Sequence, residues 1–241
     1  MEKQTNSQRF AAVAVLVFAF NMVLEAGEVR SQAAKTKYPR MAPVEEYLMA
    51  DRNAEIALAR CAAPESISHD ATVLVSGRHG YKTAVEGKNG FVCVVERAWI
   101  LPYHDSEFWN PSVRLSLCQN SPAARSHLPL TFKTTELALA GMSKTQMFGS
   151  IKAAFDKKES PMPEHGSMCY MMSRQQNFGP KFGNADPDLM FWFPRPYHMA
   201  WGADMPDSPV DVHQYSPQPI TESTISVAKW ADGTVAGANQ R

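Results

Sequence analysis

The sequence predicts an α+β fold: a mainly antiparallel sheet flanked by a few helices, with long Pro-rich loops in the C-terminal third. Three observations predict it. Helix and strand patterns run in the order helix, three strands, two helices, strands, which does not repeat the βαβ alternation of a parallel sheet. A β-branched, apolar stretch between residues 71 and 98 is punctuated by Gly and Asn. Ten of the 17 prolines lie between Pro161 and Pro219, where only short strands fit between them.

Each element has its own signal. Pro43 suits a first helical position, and Glu45 and Glu46 favour the positive end of the helix dipole. Val44, Tyr47, Leu48, Ile56 and Leu58 then give partial helical spacing to Arg60, and Ala62-Ala63-Pro64 ends the helix. Strands are expected over 71–76, 81–85 and 91–98. Glu86-Gly-Lys-Asn-Gly90 suits a hairpin turn between the last two. Phe91 to Val95 is apolar on both faces and reads as a central strand. Residues 99–122 look irregular, with Pro102, Pro111 and Pro122. Residues 123–140 read as helical with a kink at Pro129, and Gly141 is placed for a C-terminal cap. Ser143 with Gln146 makes a capping box. It opens a helix with Met147, Ile151, Ala154 and Phe155 on one face, ending near Lys158. Strands at 167–172, 189–193 and 224–229 complete the pattern, joined by long loops.

The chain has 241 residues, 24 basic and 24 acidic, with 44% apolar and 20% charged residues. This is ordinary for a globular protein and argues against a disordered or collagen-like chain. With no excess of Lys and Arg, a sequence-independent grip on nucleic acid is not expected. Lys3 and Arg9 precede eleven uncharged residues, Phe10 to Phe20, which Met22, Val23 and Leu24 extend. A membrane-spanning helix needs roughly 20 apolar residues, so this segment reads as a signal peptide, with cleavage after Ala33. Glu25, Glu28 and Arg30 lengthen and charge the stretch before the cut, which leaves an uncleaved anchor as the alternative. The expected layout is a signal peptide over 1–33, a linker over 34–42, one globular domain over 43–235 and a flexible tail over 236–241. No stable membrane span is expected once the signal is cleaved. The location is then periplasmic or extracellular.

Export implies an oxidising compartment. Cys61, Cys93, Cys118 and Cys169 allow three disulfide pairings, and none forms a C-x-x-C motif. The preferred bridge is Cys93 to Cys118, which closes a modest loop worth about 3 kcal/mol by chain entropy. Cys61 and Cys169 either pair or stay as thiols.

No G-x-S-x-G elbow, H-E-x-x-H, P-loop or haem-attachment motif is present. Two acidic clusters carry the candidate chemistry. His104-Asp105-Ser106-Glu107 is flanked by Trp99, Tyr103, Phe108 and Trp109, so its His and carboxylates could hold a metal ion or a polar ligand. The bland reading is a polar loop whose aromatics pack on the sheet. Asp186 and Asp188 precede an apolar run and fall two apart, on one side of a strand. Together they could chelate a hard cation or act as acid and base, although short D-x-D pairs are common by chance. A divalent metal ion is the one cofactor these residues suggest, with Asp186, Asp188 and His104 as candidate ligands. Arg78-His79-Gly80 reads as a turn between strands. Met168, Met171 and Met172 beside Cys169 offer soft ligands for Cu(I), but core filling explains such methionines as well.

Three segments resemble a group of exported bacterial proteins with no assigned activity. They are Tyr38-Pro-Arg-Met-Ala-Pro-Val-Glu-Glu-Tyr-Leu-Met-Ala-Asp-Arg52, Gly80 to Arg97, and Phe108-Trp-Asn-Pro111. The resemblance runs through most of the chain after residue 33. It implies a polar, metal-competent site around Asn184, Asp186 and Asp188, where that group is richer in His. This chain carries Asn and Asp instead, and a carboxylate pair prefers harder ions.

Three readings follow. One is a ligand-binding or interaction module whose partner is a small molecule or an envelope component. The second is a metal-dependent or carboxylate-based hydrolase using His104, Asp105, Glu107, Asp186 and Asp188. The third is a structural envelope protein. Convergence of His104 with Asp186 or Asp188 in one pocket would favour the second.

Overall fold

The computed structural model describes residues 37–180, 183, 185–195, 202–203 and 205–237. The expected signal segment, residues 34–36 of the linker, Asn184 and the end of the tail lie outside them. Elements follow in the order 3-10 helix Val44–Tyr47, α1 (Arg52–Arg60), α2 (Glu65–Ser68), β1 (Thr72–Gly77), β2 (Gly80–Val85) and β3 (Val92–Glu96). A second 3-10 turn, Ala98–Ile100, precedes β4 (Leu115–Gln119), α3 (Ser121–Ser126), α4 (Leu128–Leu139) and α5 (Lys144–Asp156). Then come β5 (Met168–Met171), β6 (Asp188–Pro194), β7 (Val210–His213) and β8 (Ile220–Ser226).

Among the described residues the eight strands form one sheet in the order β2-β1-β3-β4-β5-β6-β8-β7. Every neighbouring pair is antiparallel except β1 with β3. The α+β prediction is therefore met. No described helix is long and apolar enough to cross a membrane.

Five local expectations are corrected. The single helix expected over 43–60 is two pieces, because the Asp51 side chain accepts the Asn53 N–H at 2.8 Å and starts α1 afresh. The hairpin expected between 81–85 and 91–98 does not form. β2 instead turns back on β1 through Gly77–Gly80, and β3 pairs with the other edge of β1. Gly87 makes that crossing feasible. Its N–H donates to Thr72 Oγ1 at 3.1 Å, and a Cβ there would lie 2.1 Å from the Thr72 nitrogen. The stretch 99–122, expected to be irregular, contains β4 and the start of α3. The last third gains β7. The kink expected at Pro129 appears as a break at His127, with Pro129 in the first turn of α4, where its missing N–H is not needed. The Gly141 turn (φ +75°) and the Ser143–Gln146 capping box are both present.

Strand alternation sorts the core into two layers. Cys93, Val95 and Cys118 face α1, where they join Leu58, Ala59 and Val73. Cys93 and Cys118 stand opposite each other in the β3–β4 register and are disulfide-bonded, while Cys61 and Cys169 are free. Below this layer Arg97, fully buried, donates to Glu55 Oε1 at 2.7 Å, to the Tyr47 carbonyl at 2.7 Å and to the Val95 carbonyl at 2.5 Å. Glu55 also accepts the Ser76 N–H. This network ties the first 3-10 helix, α1, β1 and β3 together. Val94, Leu115, Leu117, Cys169, Met171 and Trp192 face the other way, toward Leu128 and Leu130 of α4. Tyr38, Met41 and Ala42, just ahead of the first helix, also pack on that second layer.

Candidate functional site

The second layer is not filled throughout. Pairing carries one face of the sheet from Glu96 through Leu115, Met171, Asp188, Trp192 and Glu222 to His213. Helix α4 covers only part of it. Over β4, β5, β6 and β8 a cavity of about 260 Å³ remains. Its far walls are the chain from Trp99 to Tyr103, the helix residues His127, Leu130 and Thr134, and the segment from Tyr215 to Gln218. Most of the lining is apolar. The polar groups are three carboxyls, two imidazoles, two phenols and a few small or amide side chains. Neither Lys nor Arg lines it among the described residues.

The carboxyls come from three strands. Glu96 ends β3, Asp188 opens β6 and Glu222 lies in β8. Glu96 is 2% exposed and accepts the Thr131 hydroxyl at 2.5 Å. Burial, reinforced by the negative charge of Glu222, pushes its carboxyl up to about 7 against the help of that hydrogen bond. Asp188 is 7% exposed, and its Oδ1 has no hydrogen-bond partner among the described residues. Burial, again with Glu222 nearby, raises it to about 8. Glu222 is raised by burial too, although the Trp192 indole N–H (3.0 Å) and the charge of His213 favour its ionised form. Near neutrality Asp188 is therefore largely protonated, and Glu96 is close to its midpoint.

The imidazoles differ. His127 is buried, stacks on Trp192 with ring centroids 3.7 Å apart and planes 10° from parallel, and leaves Nδ1 unpartnered among the described residues. Burial pulls it down to about 3, so it is neutral at physiological pH. His213, partly exposed, stacks on Tyr215 at the rim.

Of the five candidate site residues His104, Asp105, Glu107, Asp186 and Asp188, only Asp188 lines this cavity. Asp186 is exposed and precedes β6, so the expected pairing of the two carboxylates on one strand face does not arise. His104 is exposed. Asp105 shapes its own loop: its Oδ1 accepts the Glu107 N–H at 2.8 Å, and its carbonyl accepts Lys144 Nζ at 2.8 Å. Glu107 is buried away from the cavity, accepts the Asn110 amide at 2.6 Å, and lies so close beneath Gly179 (φ +93°) that a Cβ there would be 2.6 Å from its carboxylate. Both loops do reach the cavity, since Tyr103 and Ala185, neighbours of His104 and Asp186, line it. Among the described residues no three His, Cys, Asp or Glu side chains form a group able to hold a metal ion.

Glu96, Glu222, His127 and Trp192 were not foreseen. A signal existed for Glu96, an acidic residue that ends the apolar run of a central strand. Glu222 sits in Ile220-Thr-Glu-Ser-Thr-Ile225, where a period of two places it with Thr224 on one face. Compared with known proteins, the chain matches no protein-family model, no curated protein and no solved structure.

Proposed function

We propose that this is an exported, periplasmic or secreted ligand-binding module, and that its site is the cavity over β4, β5, β6 and β8. The observation that carries the reading is Asp188: a nine-tenths-buried carboxyl with an oxygen that has no partner among the described residues, lining a mostly apolar cavity. Such sites, apolar with a few convergent polar groups, are where small molecules bind. The volume lies just below the roughly 300–1,000 Å³ of drug-sized sites, which favours a small ligand. The Cys93–Cys118 bridge supports export, and so does the sequence pattern of a basic start followed by an apolar run over Phe10 to Phe20. The test is a thermal-shift screen of small molecules on the purified protein, repeated on Thr224→Phe, which fills the cavity from β8. Hits on the parent that vanish in a folded Thr224→Phe support the reading. Hits that persist place binding elsewhere.

A second reading, a carboxylate-based hydrolase, draws support from the same groups. A carboxylic acid still protonated near pH 7 can act as a general acid. Turnover of a glycoside or ester panel, abolished by Asp188→Asn, would favour it over simple binding.

A further inference from the structure

We propose that the ligand is a small apolar or aromatic amine, bound as its monocation with the ammonium group hydrogen-bonded to Asp188 and attracted by the charge of Glu222. The proposal rests on the cavity being a binding site and names what it would take.

Charge decides the sign of the ligand. Glu96, Asp188 and Glu222 all line the cavity, and no Lys or Arg does among the described residues. A ligand carboxylate or phosphate would bury its charge beside three carboxyls, and among the described lining residues only the imidazole of His213, at the rim, can offset it. An ammonium meets the opposite situation. It brings N–H donors, and Asp188 Oδ1 lacks a donor among the described residues. Glu222 is already held by the Trp192 indole N–H, which fixes one carboxylate oxygen in place. The deepest imidazole, His127, is neutral and adds no repulsion. Tyr103 at the wall and Tyr215 at the rim offer aromatic faces, which attract cations through their quadrupoles.

Apolar walls set the rest of the ligand. Leu115, Leu117, Met171 and Met190 make much of the sheet side of the cavity apolar. A hydroxylated or multiply charged amine would lose hydration there without return. Binding at neutral pH requires Asp188 to release its proton to solvent, leaving a carboxylate against the ammonium. With that carboxyl near 8, the loss at pH 7 is only about tenfold in affinity.

The test is calorimetry on the full chain at pH 7 with two matched sets: 2-phenylethylamine, 2-phenylethanol and phenylacetate, then butylamine, butanol and butyrate. The expected result is that an amine binds at least ~10-fold more tightly than its alcohol, the range for a hydrogen bond to a charged group, and that neither acid binds. Asp188→Asn and Glu222→Gln should each remove that preference while leaving alcohol binding in place, which shows that the variants fold. An alcohol or acid that binds as well as its amine overturns the amine assignment and leaves the binding reading standing. An amine preference unchanged in both variants also overturns it. No binding by any of the six, on a protein that melts cooperatively, overturns the amine assignment. The binding reading falls as well if the wider screen is also empty.

Discussion

Replacing Asp188 with Asn should flatten the pH dependence of stability. Folded, Asp188 keeps its proton up to about pH 8; unfolded, it gives it up near ~4. Between those values the native chain holds the extra proton, so stability declines as pH rises, by about 1.4 kcal/mol per pH unit. From pH 4.5 to 7.5 that amounts to ~4 kcal/mol, and over the whole interval to ~6 kcal/mol. Glu96 adds a slope of the same sign, because it too is held protonated, up to about 7. His127 opposes them. Neutral when folded down to about 3, it gains a proton on unfolding below ~6.5, so its contribution rises with pH until that point. The cleanest window is therefore pH 6.5 to 7.5. The assay is urea denaturation of the parent and of Asp188→Asn at half-unit steps. Asn has the shape of the protonated acid and cannot ionise, so the variant's slope should be shallower by about 1.4 kcal/mol per unit. Equal slopes would mean that Asp188 ionises as an ordinary surface carboxylate, and the polar character assigned to the cavity would be wrong.

Other outcomes follow from the same geometry. Arg97→Met should lower stability by about 3–5 kcal/mol, because it strands the buried Glu55 carboxylate; urea midpoints measure it, and a loss under 1 kcal/mol would contradict the network. Intact mass should rise by two units on reduction, for the Cys93–Cys118 bridge alone, and reduction should cost about 3 kcal/mol of stability. A gain of four units would mean that Cys61 and Cys169 also pair. The same spectrum tests export, since signal cleavage predicts a chain starting at Ala34. His127 should show the NMR shifts of neutral imidazole down to pH 5, and a midpoint near 6.5 would place it in solvent.

The sheet was legible where local pattern and burial agree. β3 is apolar on both faces because it lies between β1 and β4 with layers on each side, and its sequence says so. β4 was hidden because Ser116 and Gln119, fully buried, break the apolar run that identifies a central strand. The β2–β3 hairpin failed for a related reason. Its turn residues are compatible with a hairpin, but what decides the connection is Gly87 crossing the backbone at Thr72, a contact between segments far apart in pattern. The candidate site shows the same limit. His104, Asp105 and Glu107 have the residue types of a metal or acid–base site, yet two of them are used in local structure: an Asx turn at Asp105 and an Asn110 hydrogen bond at Glu107. The groups that line the cavity come one from each of several elements, and only the strand order brings them to one face.

The two faces of the sheet treat buried charge in opposite ways, and the contrast argues for function. On one face Arg97 is held by Glu55 and two backbone carbonyls, and Glu55 by Arg97 and the Ser76 N–H. A carboxylate buried for stability is supplied with donors, as Glu55 is. On the other face Asp188 has an oxygen without a donor among the described residues, and the fold holds it neutral instead. An apolar side chain of similar size would be the more stable choice there, since nothing in the described surroundings of Oδ1 repays its desolvation. Sites where a chain departs from local consistency at a cost in stability are where function is expected. The departure here faces an apolar cavity beside a second held-back carboxyl and an unpartnered imidazole. The missing hydrogen-bond donor is then best understood as one that arrives with a ligand.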